Sequence, residues 1–290
     1  MNRLRPGRLV VQDRDRAALV YTYRHGFLLR DDLGALAFPG SKRRVLARRL
    51  KRLVDAGLLE ATLLPLGAFP LGLAGLLPHP GQFAYRVTHE GAVLVAQHLE
   101  VDLALVRRRL QATPSYLGHA VAVARIAVAF RQFASSQSYR LSQFLCEGEA
   151  RHRYQWKKAG DDAWSTEELR PDGLAVMVRG GSTIPIHIEA DMATQGRQAL
   201  AAKLDAYKSY VARGAHARRF PDSILRLGIV TTSPERIQTI LSLLTEVDAP
   251  ELRGAVYLTT FALLAAHGPL APIWSDPTSP TSSTPTSILT

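Results

Sequence analysis

A strongly periodic segment near the N-terminus, PGSKRRVLARRLKRLVDAGLLE, constrains the fold more than any other part of the chain. Its apolar residues recur at helical spacing and predict one buried face, made of Val45, Leu46, Leu50, Leu53 and Val54. Arg44, Arg48 and Lys51 follow one another at i, i+4 and i+7 on another face. We expect Ser41 to cap the helix and Gly57 to end it. The segment therefore predicts an amphipathic helix with one basic face.

The elements around this helix predict a small DNA-binding domain. Helices are expected over 12–25, with Asp13 as N-cap, and over 30–37, and strands over 58–64 and 83–88. The segments RRLKRLVDAGLLE and YRVTHEGAVLVAQHL resemble the recognition helix and the closing strand, turn and helix of bacterial winged-helix domains. Residues 1–100 are therefore expected to form a winged helix-turn-helix domain. A basic, solvated helix in an unrelated small bundle is the alternative interpretation.

The charge balance favours a polyanionic partner. Lys and Arg number 36 against 25 Asp and Glu, the formal net charge is +11, and much of the excess lies in the first 52 residues. Double-stranded DNA is the predicted partner. The side chains of Arg44, Arg48 and Lys51 are expected in the major groove. Phosphate contacts are expected from Arg43, Arg49 and Arg52. The predicted DNA contacts are Lys42, Arg43, Arg44, Arg48, Arg49, Lys51 and Arg52.

Cysteine content and hydropathy favour a cytoplasmic protein without a membrane role. Cys146 is the single cysteine, which excludes an internal disulfide and a cysteine-rich zinc site. The first residues lack an apolar stretch typical of a signal peptide. The uncharged segment 61–81 is interrupted by Pro65, Pro70, Pro78 and Pro80, which is unfavourable for a membrane span. It is interpreted as a wing tip packed on its own domain or on a partner subunit, and a docking surface for another protein is the alternative.

The rest of the chain alternates between strand and helix patterns. A helix over 115–134 is apolar on most sides and carries His119, interpreted as a core residue. The segments LAVMV and IPIHIEAD, a helix over 194–212, the strand ILRLGIVTT, a helix over 234–246 and the strand GAVYLTTF follow. This order predicts an α/β domain with a mixed sheet over 101–274, so that the chain is α+β overall. The Ser/Thr/Pro-rich tail 275–290 is expected to be disordered.

Acidic residues cluster where two of the predicted strands end. If LAVMV and IPIHIEAD pair as a hairpin, Asp172 lies near Glu189 and Asp191, and alternation places His187 on their face, opposite the buried Ile186 and Ile188. Three converging carboxylates suit Mg²⁺ or Mn²⁺, which would activate a water for attack on a phosphodiester. Lys203, on one helical face with Tyr207 and Tyr210, is the predicted group for orienting the water or the phosphate. The alternative interpretation is that these are ordinary strand-end acids paired with Arg170 or Lys203.

The strings RPDG, IPIHIEAD and AAKLDAYKSYV resemble the nuclease-like part of the replication-relaxation family, bacterial proteins of plasmids and mobile elements with an N-terminal winged helix. The resemblance covers about residues 11–261. It implies a fold similar to PD-(D/E)XK nucleases and a role in plasmid replication, DNA relaxation or mobilisation. By this resemblance Asp172 matches the PD aspartate, Glu189 the acid of the second strand, and Lys203 a lysine displaced onto the neighbouring helix. The E-x-K element of active nucleases reads Glu189-Ala190-Asp191 here.

Two functions of different class follow from these patterns. One is a metal-dependent DNA endonuclease or nickase with Asp172, Glu189, Asp191 and Lys203 as catalytic residues, the three acids as metal ligands, and Glu147 or Glu149 as a candidate further ligand. The alternative is a non-catalytic replication accessory protein or transcriptional regulator with a degenerate nuclease fold. A relaxase-like tyrosine chemistry at Tyr116, Tyr154, Tyr207 or Tyr210 lacks the paired-histidine metal site it needs. A second copy of the chain and replication or mobilisation proteins are candidate partners.

Overall fold

The computed structural model describes residues 9–64, 82–111, 117–133, 139–157, 160, 163–247, 249, 252, 254–277 and 285–289. Contacts divide the described chain into two compact units, with the division between Ala124 and Arg125. The predicted domain limits 1–100, 101–274 and 275–290 stay predictions. The expectations about the apolar segment fall mostly on 65–81, which lies outside the described residues. Within the described part of the chain, no helix is long and apolar enough to cross a membrane.

The N-terminal unit combines helices with a small antiparallel sheet. Its helices are α1 (Asp13–His25), α2 (Arg30–Ala37), α3 (Arg43–Asp55), α4 (His89–Leu99) and α5 (Leu103–Gln111). Its strands β1 (Leu28–Leu29), β2 (Leu59–Leu63) and β3 (Phe83–Val87) form a sheet in the order β1-β3-β2, with Leu59 opposite Val87. The expected winged helix-turn-helix stays a prediction for this unit. The predicted bounds of α2 are confirmed.

Helix α3 packs on this unit through a narrower apolar stripe than the pattern predicts. Leu46, Leu50 and Leu53 are buried, but Val45 is 40% exposed. The N-cap of α3 is Lys42, which gives no side-chain cap, so the expected cap by Ser41 is wrong. Likewise Gln12, and not Asp13, is the N-cap of α1. Three leucines at i, i+4 and i+7 are enough to anchor α3, because that spacing alone returns side chains to one face.

A close backbone approach sets the position of α4. Thr88 is its N-cap, and its hydroxyl accepts a hydrogen bond from the Gly91 amide at 3.0 Å. A Cβ at Gly91 would lie 2.2 Å from the carbonyl oxygen of Leu58. Only glycine therefore allows the first turn of α4 to pack this closely against the chain entering β2.

The second unit is built around a five-stranded mixed sheet. Its strands are β4 (Arg140–Cys146), β7 (Gly173–Arg179), β8 (Ser182–Ala190), β9 (Leu227–Thr231) and β10 (Val256–Thr260), in the order β10-β9-β8-β7-β4. Strands β4, β7 and β8 are antiparallel, whereas β8, β9 and β10 are parallel. A separate antiparallel hairpin joins β5 (His152–Lys157) to β6 (Trp164–Leu169). The predicted fold class, α+β overall with a helical N-terminal region and a mixed-sheet unit, is confirmed.

Helices cover the sheet of the second unit. The helices within it are α7 (Glu147–Ala150), α8 (Arg197–Ala212), α9 (Ala215–Arg219), α10 (Pro234–Glu246) and α11 (Phe261–His267). One core joins α8 and α10 to the sheet through buried residues such as Leu204, Ile240 and Ile229. The remaining helix, α6 (Leu117–Phe133), crosses the division between the units and brings Phe130 against Phe144 of β4, with ring centroids 5.9 Å apart.

The described parts of the C-terminal tail, 275–277 and 285–289, are more ordered than the composition suggests. We expect disorder over 275–290, but Thr286 pairs with Trp274 through backbone hydrogen bonds of 2.8 and 3.1 Å. Ile288 is fully buried. Its terminal methyl lies 3.0 Å from where a Cβ of Gly228 would be, beside Trp274. The structure departs from the expectation because the apolar residues of the tail are gathered at its very end, where they cover β9.

Candidate functional site

The basic face of α3 carries cations that reach solvent. Lys51 pairs with Asp55 one turn further on at 2.8 Å, and both side chains remain largely exposed. The cations exposed along this segment are Lys42, Arg43, Arg44, Arg48, Lys51 and Arg52. An exposed ion pair between residues i and i+4 of a helix contributes little to the free energy of unfolding. Lys51 can therefore exchange Asp55 for another anion.

Arg49 differs from the other predicted DNA contacts. Its Nε donates to Oδ1 of Asp15 at 2.7 Å, and a terminal nitrogen donates to the carbonyl of Val10 at 2.8 Å and also contacts Oδ2 of Asp15. The Arg49 side chain is 10% exposed and that of Asp15 is fully buried. Arg49 therefore joins α3 to α1, and the expectation that it contacts phosphate is wrong. Nothing in the spacing of α3 shows this, because the partner lies 34 residues away.

The predicted hairpin of β7 and β8 is present and brings two of the three acids together. Gly173 pairs with Ile188, which places Asp172 beside the end of β8. Oδ2 of Asp172 accepts a hydrogen bond from the Ala190 amide at 2.8 Å. Both Asp172 and Glu189 are buried. The position of Asp172 therefore follows from the register of the hairpin.

Helix α8 completes this cluster. The Lys203 ammonium contacts Oε2 of Glu189 and lies 3.5 Å from Oδ2 of Asp172. The Tyr207 hydroxyl donates to Oε1 of Glu189 at 2.6 Å. Lys203 and Tyr207 are one turn apart on α8, as the sequence predicts. We call Asp172, Glu189, Lys203 and Tyr207 the acid–lysine cluster.

Asp191 stays outside the acid–lysine cluster. Its Oδ2 accepts from Arg236 Nε at 2.8 Å and from the Thr231 hydroxyl at 2.7 Å, and its Oδ1 accepts from a terminal nitrogen of Arg236 at 3.1 Å. Arg236 lies in the first turn of α10, whose N-cap is Ser233. Sequence reasoning missed both Arg236 and Thr231. The third carboxylate is therefore paired with a cation of its own, Arg236, although Asp191 lines the same small cleft as Glu189 and Lys203.

His187 and the middle of β8 are buried on both faces. The strand lies inside the sheet, and Pro185 through Ala190 are all buried, so the expectation that only Ile186 and Ile188 face the core is too narrow. Neither ring nitrogen of His187 has a hydrogen-bond partner among the described residues, and its ring lies 5.8 Å from that of Tyr207. Burial lowers the pKa of His187 well below its ordinary value, so the ring is neutral.

The electrostatics of the acid–lysine cluster follow from burial. Desolvation and the neighbouring Asp172 carboxylate raise the pKa of Glu189 to about 8, although Lys203 and Tyr207 stabilise its charged form. Burial lowers the pKa of Lys203, but the two carboxylates outweigh this and leave it above its ordinary value. The lysine is therefore the permanent charge of the cluster, and Glu189 is the group that titrates.

The donor set of the cluster does not fit a divalent metal. Asp172 and Glu189 supply hard oxygen donors of the kind that Mg²⁺ and Mn²⁺ prefer, but the Lys203 ammonium holds the position between them. Asp191 is bound to Arg236. The adjoining cleft has a volume of about 10 Å³, enough for about one water. No group of three or more His, Cys, Asp or Glu side chains, within the residues that the structure describes, is arranged to hold a metal ion.

Comparisons with known proteins agree with the resemblance drawn from the sequence. The family model described as replication-relaxation matches residues 19–222, which is more than half of the chain. The chain belongs to the replication-relaxation family. No curated protein matches it. Among solved structures, the restriction endonuclease FokI is similar at 10% identity and a TM-score of 0.33, over 87% of this chain and 43% of the FokI chain, so this chain spans less than half of FokI.

Within this replication-relaxation protein, the E-x-D element divides its two acids between different helices. Glu189 is held by Lys203 and Tyr207 of α8, whereas Asp191 is held by Arg236 of α10. The two side chains are two residues apart in the chain and so leave β8 toward the same layer of helices. Each helix then supplies one cation, which neutralises each acid separately.

Replacing Glu189 by glutamine should change how stability depends on pH. Folded Glu189 binds a proton up to about pH 8, whereas unfolded glutamate releases it near its ordinary value of 4.5. The free energy of unfolding of the wild type should therefore fall as pH rises from about 4.5 to about 8, by at most about 1.4 kcal/mol per pH unit from this group. E189Q should lack this slope. Urea unfolding at several pH values measures it, and an equal slope in both proteins would contradict the assignment.

Proposed function

We propose that this protein binds double-stranded DNA through α3 and acts in replication, relaxation or mobilisation of a plasmid or another mobile element. The observation that carries the proposal is the exposed basic face of α3, on a unit that the sequence predicts to be a winged helix-turn-helix. Family membership supports the biological setting. The proposal treats the α/β unit as a non-catalytic part that serves assembly or further binding.

The physical basis of binding is charge on a rigid helix. Arg44, Arg48 and Lys51 lie on one face of α3, and Leu50 and Leu53 anchor the opposite side in the core. A helix of this kind enters the major groove, where arginine and lysine side chains meet base edges and flanking phosphates. Arg43 and Arg52, exposed at the two ends of α3, are placed to contact phosphates. Each phosphate contact releases counterions, so affinity should fall steeply with salt.

The second candidate function is metal-dependent DNA cleavage at the acid–lysine cluster. It is favoured by the approach of Lys203 to both Asp172 and Glu189, where the family resemblance expects a displaced catalytic lysine. Three features rank it second: the lysine bridges the carboxylates, Asp191 is paired with Arg236, and Glu189 is partly protonated at neutral pH. In this arrangement the lysine neutralises the acids and leaves them no open side for a second cation.

A matched pair of triple variants tests the DNA-binding proposal. R44A/R48A/K51A should bind a duplex at least about tenfold more weakly than the wild type near 0.1 M salt, with a salt slope flatter by up to about three units. The control, R140A/R179A/R197A, removes the same charge from exposed positions of the second unit and should bind nearly as the wild type does. Gel-shift titration at several salt concentrations measures both. Equal affinities for the two variants would defeat the assignment to α3.

Supercoiled plasmid tests the second candidate in the same samples. Wild type, D172A and E189A are incubated with plasmid and Mg²⁺, Mn²⁺ or EDTA at protein concentrations that shift all of the DNA. We expect no nicked or linear product in any lane. Cleavage by the wild type alone, and only with metal, would overturn the non-catalytic assignment and make Asp172 and Glu189 the first candidates for metal ligands.

A further inference from the structure

A wide groove runs beside β5 in the second unit. Its volume is about 1290 Å³, and we call it the β5 groove. Its walls are residues 152–157 of β5, Trp164 and Thr166 of β6, and Ala212, Arg213, Arg218 and Arg219 around the turn from α8 to α9. All of these residues lie in the second unit. A six-residue strand extends about 20 Å, which is long enough for several nucleotides.

The lining of the β5 groove is cationic. It contains Arg153, Lys157, Arg213, Arg218 and Arg219, and none of the described residues that line it is acidic. Arg218 donates to the backbone carbonyls of Arg213 and Gln155 at 2.9 and 3.2 Å, and Arg219 donates to the Ala150 carbonyl at 3.4 Å. Hydrogen bonds to carbonyls orient a guanidinium without neutralising its charge. These two arginines therefore stay fixed and positive at one wall of the groove.

Carboxylates behind the groove hold the other arginines in place. Glu167 pairs with Arg213 and accepts a hydrogen bond from Tyr154 at 2.8 Å, and Glu168 lies 3.2 Å from Arg153. The Arg153 side chain is 75% exposed despite this contact. The groove therefore keeps an excess of positive charge. The pKa of His152 in the same wall agrees with this, because burial, Arg219 and Arg218 together lower it to about 4.

Aromatic side chains stand among these cations. Trp164 is 65% exposed and lies opposite Lys157 in the hairpin. Trp156 carries the guanidinium of Arg213 over its ring at 3.6 Å. Most of the Trp164 side chain is open to solvent, so its ring is accessible for stacking against a flat apolar face of a ligand.

We propose that the β5 groove binds single-stranded DNA, with bases stacked on Trp164 and phosphates held by Arg218, Arg219 and Lys157. A groove that combines fixed cations with one exposed aromatic ring suits unpaired nucleotides, since every base offers a face for stacking. The bases of a duplex are already stacked on one another and cannot use Trp164. The choice of DNA over RNA rests on the proposed function, whereas the choice of a single strand rests on the groove alone.

Fluorescence anisotropy with a labelled oligo-dT of about 15 nucleotides tests this inference, alongside a duplex and an oligo-U of equal length. The wild type should bind oligo-dT, and W164A should bind it roughly tenfold or more weakly while W164F keeps most of the affinity. R179A, which removes an exposed arginine from the end of β7, is the charge control and should leave binding unchanged. Oligo-dT should also quench tryptophan fluorescence in the wild type and much less in W164F, because the ring of Trp156 is covered by Arg213 and Trp274 is fully buried.

The outcomes separate this inference from the proposed function. Loss of duplex binding in R44A/R48A/K51A with oligo-dT binding intact, and the reverse in W164A, support both. If the wild type binds the duplex but not oligo-dT, the proposal for the β5 groove is wrong and the proposal for α3 stands. If it binds oligo-dT but not the duplex, the proposal for α3 is wrong and the proposal for the β5 groove stands. Equal or tighter binding of oligo-U overturns the choice of DNA. Oligo-dT affinity that is the same in W164A and the wild type shows that the strand binds elsewhere, and also overturns the inference.

Discussion

Replacing Asp15 by alanine should lower the free energy of unfolding by about 3–5 kcal/mol, the range measured when one partner of a buried ion pair is removed. Asp15 is fully buried, and its carboxylate accepts two hydrogen bonds from Arg49 and one from the Gln12 amide at 2.7 Å. Without it, the guanidinium of Arg49 stays largely buried and keeps the Val10 carbonyl as its hydrogen-bond partner among the described residues. The start of α1 and the docking of α3 therefore weaken together.

Asp13 offers a matched control in the same first turn of α1. Its side chain is fully exposed and pairs only with Arg16, so D13A should change the free energy of unfolding by less than about 1 kcal/mol. Both substitutions remove one negative charge near the N-terminus of α1. The difference between their losses in the free energy of unfolding therefore measures the effect of the buried pair. Urea unfolding followed by circular dichroism measures both. Similar small losses in D15A and D13A would show that Arg49 gains nothing from Asp15, and would restore Arg49 as a DNA contact.

Replacing Lys203 by methionine should lower the free energy of unfolding by about 2–4 kcal/mol. Methionine keeps most of the side-chain volume, but it leaves the buried carboxylates of Glu189 and Asp172 facing each other without a cation. We expect a smaller loss than in D15A, because Lys203 keeps 27% of its side chain exposed and water can partly replace its charge. The loss should be greater at pH 9 than at pH 6, since Glu189 takes up a proton at the lower pH.

Lys208 on the same helix provides the control for this substitution. Its ammonium donates to the Val247 carbonyl at 3.4 Å, away from the acid–lysine cluster, so K208M makes the same chemical change without exposing the two carboxylates to each other. We expect K208M to cost less than about 1 kcal/mol and to show no added loss at high pH. If K203M were as stable as K208M at both pH values, the lysine would not be the group that neutralises Asp172 and Glu189.

Together these expectations describe an acid–lysine cluster that acts as a neutralised, structural arrangement. The same residues that resemble a nuclease site hold the end of β8 to α8, and Asp191 and Arg236 hold it to α10. A protein that binds DNA through α3 needs such a scaffold to be rigid but does not need it to cleave.

Local patterns predicted much of the secondary structure and one part of the candidate site. The bounds of α2 and α10 follow from periodicity and from signals such as Pro234 in the first turn. The predicted hairpin of β7 with β8 places Asp172 beside Glu189, and the structure has this pairing. The spacing of Lys203 and Tyr207 on one face of α8 was also correct. All of these depend on neighbours in sequence or on one short turn.

The sequence by itself determined most of the helices, the strands β2, β3 and β7 to β10, the basic face of α3 and the membership of the family, because periodicity and motif order are local properties of the chain. Only the tertiary structure decided which charges are available. Arg49 and Asp191 each meet a partner 34 or 45 residues away and lose their predicted roles, and Trp164 becomes significant only beside the arginines after α8. The physical reason is that burial and ion pairing depend on the distances between side chains of different elements. Composition and the spacing of residues along one element do not determine those distances.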